Sequence, residues 1–198
     1  MAVTTRDGPP DAFGSTYRLL STAVTPRPIG WVSTTSEDGV DNLAPYSFFN
    51  VVATDPPVVM FAPVGTPELK DTPRNVRSTE QFVVNIVTRE LLEQMNATSA
   101  TLPADESEFN HAAIERADSV VVDPPRVAAA NAAFECELYD WLEIGRSVMI
   151  LGEVVHAHVE DSLLTDGKID IEKIQTVGRL AGNQYATTDN RLSVERPE

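Results

Sequence analysis

The chain has 198 residues, 42% of them hydrophobic and 23% charged, which fits a single globular domain with a sizeable core. Its 30 acidic against 15 basic residues give a net charge of −15, and this argues against nucleic acid as a partner, because binding a phosphate backbone requires a positive surface. With one cysteine, Cys136, an intrachain disulfide is excluded.

Residues 1–16 are polar with Gly and Pro and form a predicted N-terminal arm. Ile29 to Thr35 is a β-branched and aromatic run, hence a strand, and Asp38-Gly39 marks the turn after it. Asn42 to Val52 reads as a second strand, interrupted at Pro45. After Asp55-Pro56-Pro57, Val58 to Ala62 is a buried strand, and Pro63 to Lys70 is a loop. Thr72 as N-cap and Pro73 as first residue predict a helix over 73–80. Phe82 to Val87 is another buried strand, and Thr88 is expected to cap a helix from Arg89 to about Ser99. A polar loop from Leu102 leads to a short helix expected between Phe109 and Ala117. Ala133 to Ile144 and Val148 to Val159 read as long strands joined by a hairpin at Gly145-Arg146, and Lys168 to Ile174 is strand-like. Many short-spaced strands with few short helices predict a mainly β fold, an antiparallel barrel with helical excursions.

The charge is spread along the chain rather than gathered in a tail, and only three of the basic residues are lysines. Such a balance resembles proteins of a high-salt cytoplasm, where screening tolerates self-repulsion, so a halophilic source is expected. Met1 to Gly8 carries no apolar run of a secretory signal, and Val58 to Ala62 is too short to span a bilayer. A cytoplasmic protein without a membrane partner is the expectation. Cys136 sits between two glutamates in an apolar context and reads as a buried small residue, not a nucleophile.

Three segments carry chemistry. In Leu69-Lys70-Asp71-Thr72-Pro73-Arg74-Asn75 an ammonium and a hydroxyl stand at a helix start, whose free N–H groups and positive dipole end suit a phosphate. In Asn42-Leu43-Ala44-Pro45-Tyr46-Ser47-Phe48-Phe49-Asn50, Pro45 exposes backbone donors and acceptors beside aromatic surface. In Gly178-Arg179-Leu180-Ala181-Gly182-Asn183-Gln184-Tyr185 the glycines permit close approach, Arg179 can pair with an anion or cover a ring, and Tyr185 can stack. His156 and His158 lie two apart on one strand face with Glu160 next in line, a spacing that can hold a metal. The sequence places no third strong ligand beside them, so a polar strand face is expected and no metal site. His111 reads as a surface residue.

Thr25-Pro26-Arg27-Pro28-Ile29-Gly30-Trp31-Val32-Ser33-Thr34, then Asn42-Leu43-Ala44-Pro45-Tyr46-Ser47, Lys70-Asp71-Thr72, Phe82-Val83-Val84-Asn85 and the closing Gly178-Arg179 to Tyr185 follow in this order. The series closely resembles the flavin reductase-like family of flavoredoxin type, over about residues 17–187, leaving 188–198 as a tail. The resemblance implies a six-stranded Greek-key split barrel, usually a homodimer with FMN near the interface. It implies that Ser33, Thr34 and Thr35 approach the ribityl or phosphate end, and that Ala44, Pro45, Tyr46, Ser47, Phe48 and Asn50 line the isoalloxazine. Lys70 and Thr72 would hold the phosphate, with Asn42, Asp71 and Asn75 of the same motifs in the cofactor-binding set. Arg179 and Tyr185 would close the site, from the same or the partner subunit, although Ala181 stands where a second glycine is common. The implied activity is an FMN-dependent oxidoreductase that takes hydride from NAD(P)H and passes electrons to a flavin, a partner flavoprotein or a small electron carrier. No side-chain catalyst is needed, because the flavin performs the hydride step. The alternative is a flavin-binding carrier or sensor without reductase activity.

Overall fold

The computed structural model describes residues 4–65 and 70–197. In chain order the elements are a 3-10 turn at Pro10–Phe13, α1 (Thr16–Ala23), β1 (Arg27–Pro28), β2 (Gly30–Thr35), β3 (Asp41–Tyr46), β4 (Phe49–Thr54) and β5 (Pro57–Phe61). Then come α2 (Asp71–Thr79), β6 (Gln81–Ile86), α3 (Leu92–Ala97), α4 (Glu108–His111), β7 (Arg116–Ala117), β8 (Arg126–Val127), β9 (Ala132–Ile144) and β10 (Ser147–Val159). The chain ends with β11 (Leu164–Thr165), β12 (Lys168–Ile169), β13 (Val177–Arg179) and β14 (Tyr185–Thr187).

The principal sheet is antiparallel with seven strands in the order β3-β2-β6-β9-β10-β5-β4. Its two edge strands, β3 and β4, are consecutive and joined only by Ser47-Phe48. A link that short spans at most ~11 Å, so the sheet must roll until its edges come together. No ladder joins β3 to β4, and the barrel is split there. It has one strand more than the six implied, because the 42–52 stretch is two strands that part at Ser47 and not at Pro45. Pro45 is accommodated inside β3 because that strand is an edge.

One core cluster fills the barrel, with Val32, Phe61, Phe82, Cys136 and Ile150 fully buried and Val76 of α2 closing it. Gly152 has no room for a side chain, since a Cβ there would meet the Phe82 ring at 2.2 Å. Burial raises the Cys136 thiol pKa far above its ordinary value, with Glu135 adding to the shift, so the thiol is inert. A second cluster on the other face of β2 gathers Trp31, Leu43, Met95, Phe109 and Val127. With Trp31 and Val32 both at 0% exposure, β2 is buried on both faces, which is why its sequence runs apolar without alternation.

The long hairpin β9–β10 follows its expected bounds closely. Other boundaries differ. The helix after β6 covers only Leu92–Ala97, and Thr88 is drawn away as a β-bridge partner of Thr176. The helix at Phe109 ends at His111, and Arg116–Ala117 is strand. Only Lys168–Ile169 of the strand-like 168–174 stretch forms a strand. The predicted arm contains the 3-10 turn and ends at the start of α1, which is capped by the Ser15 side chain accepting the Arg18 N–H. Between the last strand and residue 197 there is no helix or strand. Among the described residues, no helix is long and apolar enough to cross a membrane.

Candidate functional site

The edge strand β3 carries the site. Its backbone pairs with β2 on one side only. The Leu43 N–H points to the other side, where the Glu108 carboxylate accepts it at 3.0 Å. Alternation along an antiparallel strand then turns the Pro45 carbonyl to the same open side, where its missing N–H costs no ladder bond. The same Glu108 oxygen accepts the Asn42 amide N–H at 2.9 Å. Burial raises the Glu108 pKa, and the hydrogen bonds from Leu43 and Asn42 oppose that rise.

Asn42 is the junction between β3 and α2. Its side-chain carbonyl accepts the Thr72 hydroxyl at 2.6 Å and the Thr34 hydroxyl at 3.4 Å, and the Asn75 amide donates to Thr34 at 3.1 Å. All four residues are buried. This network fixes the first turn of α2 against the sheet. It also moves the cap: the hydroxyl of Thr72 is directed inward to Asn42, the helix begins at Asp71, and Lys70 takes the N-cap position with extended backbone. Among the described residues no side chain caps this end, so the N–H groups of Asp71 and Thr72 have no intrahelical partner. The helix stops at Glu80, whose left-handed backbone (φ 59°) turns the chain into β6.

A cavity of about 470 Å³ opens between this helix start, the β3 edge and residues 98–102. Asn42, Ala44, Pro45, Tyr46, Lys70, Asp71 and Thr72 line it. Among the described lining residues Lys70 is the one base, and no carboxylate pairs with it. Desolvation lowers the Lys70 pKa. Asp71 is engaged instead by Arg74 in an ion pair on the helix surface. The Tyr46 phenol lies at the inner wall; burial raises its pKa well above the ordinary tyrosine value, against the lowering effect of its hydrogen bond with Thr72.

Seven of the sequence-predicted residues therefore line one cavity, and Thr34 and Asn75 support it from beneath. The others lie elsewhere. Ser33 points to the opposite face of β2, donating to the Pro125 carbonyl at 2.5 Å, as strand alternation with Thr34 demands. Thr35 donates to Asp41. Beyond the break at Ser47, Phe48 packs beside Tyr17 and under Arg27, and the Asn50 side chain accepts its neighbour's N–H on β4. Arg179 and Tyr185 face each other across the β13–β14 pair, with the guanidinium 4.6 Å from the ring centre, and the Tyr185 hydroxyl donates to Asn96 of α3 at 3.2 Å. Neither lines the cavity in this chain. Leu69 of the phosphate motif lies outside the described residues. Sequence reasoning missed Glu108 and the Thr98–Leu102 wall. The run of small polar residues after α3 was the one available signal, and Glu108 gave none, since it lies 66 residues from the Asn42 it holds.

Comparisons with known proteins agree with this architecture. Residues 22–171 match the family model described as flavin reductase like domain. An uncharacterised protein of Aquifex aeolicus is 42% identical over 172 residues, covering 85% of this chain and 88% of that protein. Among solved structures, nitrilotriacetate monooxygenase component B from Bacillus cereus is 32% identical with a TM-score of 0.92, covering 98% of this chain and all (100%) of the other. The 2-nitrobenzoate 2-nitroreductase of Pseudomonas fluorescens is 32% identical with a TM-score of 0.85, covering 92% and 90%.

Proposed function

This chain belongs to the flavin reductase-like family, and from that premise we propose that it binds FMN along the β3 edge and passes electrons from NAD(P)H to an acceptor. One observation carries the reading: among the described residues, a helix start without a side-chain cap and a lysine without a carboxylate partner open onto a cavity bounded by the β3 edge. The residues suit the cofactor. Lys70 and the Asp71 and Thr72 N–H groups supply donors and positive charge for a phosphate. The outward carbonyls of β3 supply acceptors for a flavin's imide N–H, and Ala44, Pro45 and Tyr46 supply apolar surface. The volume is in the ~300–1,000 Å³ range of small-molecule sites.

Bound there, FMN supplies hydride acceptance and onward electron transfer. The chain's own part is to place and hold it. Lys70 binds as a point charge and moves no proton. Arg74 neutralises Asp71, which removes a repulsion from the phosphate end. Glu108 pins the β3 edge through Asn42 and Leu43, so that edge stays ordered without a strand beside it.

For the acceptor, the 32%-identical relatives, one a monooxygenase component and the other a nitroreductase, support two readings. A partner flavoprotein, free flavin or a small electron carrier suits the first, and a nitroaromatic the second. The reading includes a homodimer in the cytoplasm of a salt-adapted cell. Exposed Tyr17 and Leu20 on α1 and Val24 just after it supply apolar surface for a second copy, and light scattering tests the mass. The activity is tested by visible spectra at high salt, with FMN and then NADH or NADPH added. Flavin bands that shift on binding and bleach with the nicotinamide are expected. Bands that persist point to a passive flavin carrier, and no uptake refutes the cofactor.

A further inference from the structure

We propose that Glu135, His156 and His158 form a binding site for a divalent cation of the zinc class on the β9–β10 hairpin, remote in sequence from the Lys70 motif. The sequence shows the two histidines but no third ligand. The register supplies it. A bulge in β10 between Val154 and His156 consumes Val155, so His156 and not Val155 stands opposite Glu135 of β9. His158, two residues on, shares the face of His156. One ligand atom from each of the three residues lies within 4.8 Å of the others. The His158 Nε2 is 2.5 Å from Glu135 Oε1, and the two imidazole rings are 4.9 Å apart between centres.

The chemistry of the set fits. Two imidazoles and a carboxylate bind zinc at ~2.0–2.2 Å, with ligand atoms about 3.5 Å apart in tetrahedral geometry. Reaching that arrangement requires the His158–Glu135 contact to open by about 1 Å as the cation replaces the shared proton. The carboxylate is already oriented. Its Oε1 also accepts the Val120 N–H at 2.7 Å, and Oε2 accepts those of Val121 and Val122 at 2.6 and 3.1 Å. Such hydrogen bonds to a ligating carboxylate are the usual outer support of a metal site. Three N–H groups and the His158 ring thus surround the Glu135 carboxylate and fix its direction. Glu135 is fully buried while both histidines are half-buried, which leaves an approach from solvent and open coordination positions. The net charge of −15 favours cations throughout.

The test uses tag-free, chelator-washed full chain titrated with Zn²⁺ by calorimetry, with the thermal midpoint recorded at each ratio. One Zn²⁺ per chain is expected, with a rise in the midpoint. Losing an outer-shell partner commonly costs ~10–100-fold in affinity, so His156→Ala and His158→Ala, which remove ligands, should each weaken binding roughly tenfold or more. His156→Ala leaves the Glu135–His158 contact in place and should fold normally, which separates ligation from stability. His111→Ala, which removes the remaining histidine, should bind as wild type. No stoichiometric uptake by the wild type, wild-type affinity in His156→Ala, or loss of binding in His111→Ala would overturn the proposal.

Discussion

The corner around Arg27 and the start of α2 around Lys70 each place a cation beside backbone groups, yet they use it differently. Arg27 is 7% exposed, and its guanidinium donates to three carbonyls, those of Ser21, Val24 (2.8 Å) and Leu180 (2.7 Å). It ties α1, β1 and the loop after β13 into one corner. Gly178 lets the strands close there, since a Cβ would meet Pro26 at 2.8 Å. Lys70 has no such partners among the described residues and faces a cavity with uncapped N–H groups. A cation whose acceptors are internal holds the fold; in the function proposed above, one that faces a cavity takes an anion from outside.

The contrast can be broken at either end. Replacing Arg27 by Leu leaves three carbonyls without their donor and should cost about 3–5 kcal/mol in urea unfolding, with FMN affinity of the folded fraction nearly unchanged. A fully stable variant would remove the structural half of the comparison. Asn42→Ala cuts the junction that both orients α2 and receives Thr72, and should cost about 2–3 kcal/mol as well as flavin affinity. Lys70→Ala should leave stability within about 0.5 kcal/mol, since an exposed side chain is removed. Its FMN dissociation constant should rise roughly 10- to 100-fold, from one lost charge-assisted bond.

A smaller effect is expected at Glu108. Its folded pKa lies above the unfolded value of 4.5, so the folded chain holds the proton more tightly. The stability this contributes is present below pH 4.5 and is lost as pH rises through the folded pKa. Glu108→Gln keeps an oxygen acceptor for Asn42 and Leu43 but cannot titrate. Its stability relative to wild type should therefore grow as pH rises from 4.5 towards neutrality, measured by urea midpoints across that range. A constant difference would show that burial of Glu108 is not electrostatically costly.

Much of this was legible in the chain. Strands β2, β5, β6, β9 and β10 announce themselves as apolar or β-branched runs, because burial on one or both faces dictates composition locally. The helix after Lys70 was legible as a helix start, although its cap shifted from Thr72 once Asn42 claimed the hydroxyl. The break at Ser47 was not legible. Pro45 looked like the interruption, and only the edge position of β3 makes it harmless. Helix α1, just after the polar arm, was not read from the sequence because its anchoring depends on Arg27, and Glu108 and Glu135 act on partners fixed by tertiary register.

The most direct test of the account is the ratio of FMN to riboflavin affinity in wild type and Lys70→Ala, followed by flavin fluorescence quenching. The two ligands differ only in the phosphate. Wild type should prefer FMN by roughly tenfold or more, and Lys70→Ala should lose most of that preference while binding riboflavin as before. An unchanged preference for FMN in Lys70→Ala would contradict the assignment of the phosphate to the start of α2.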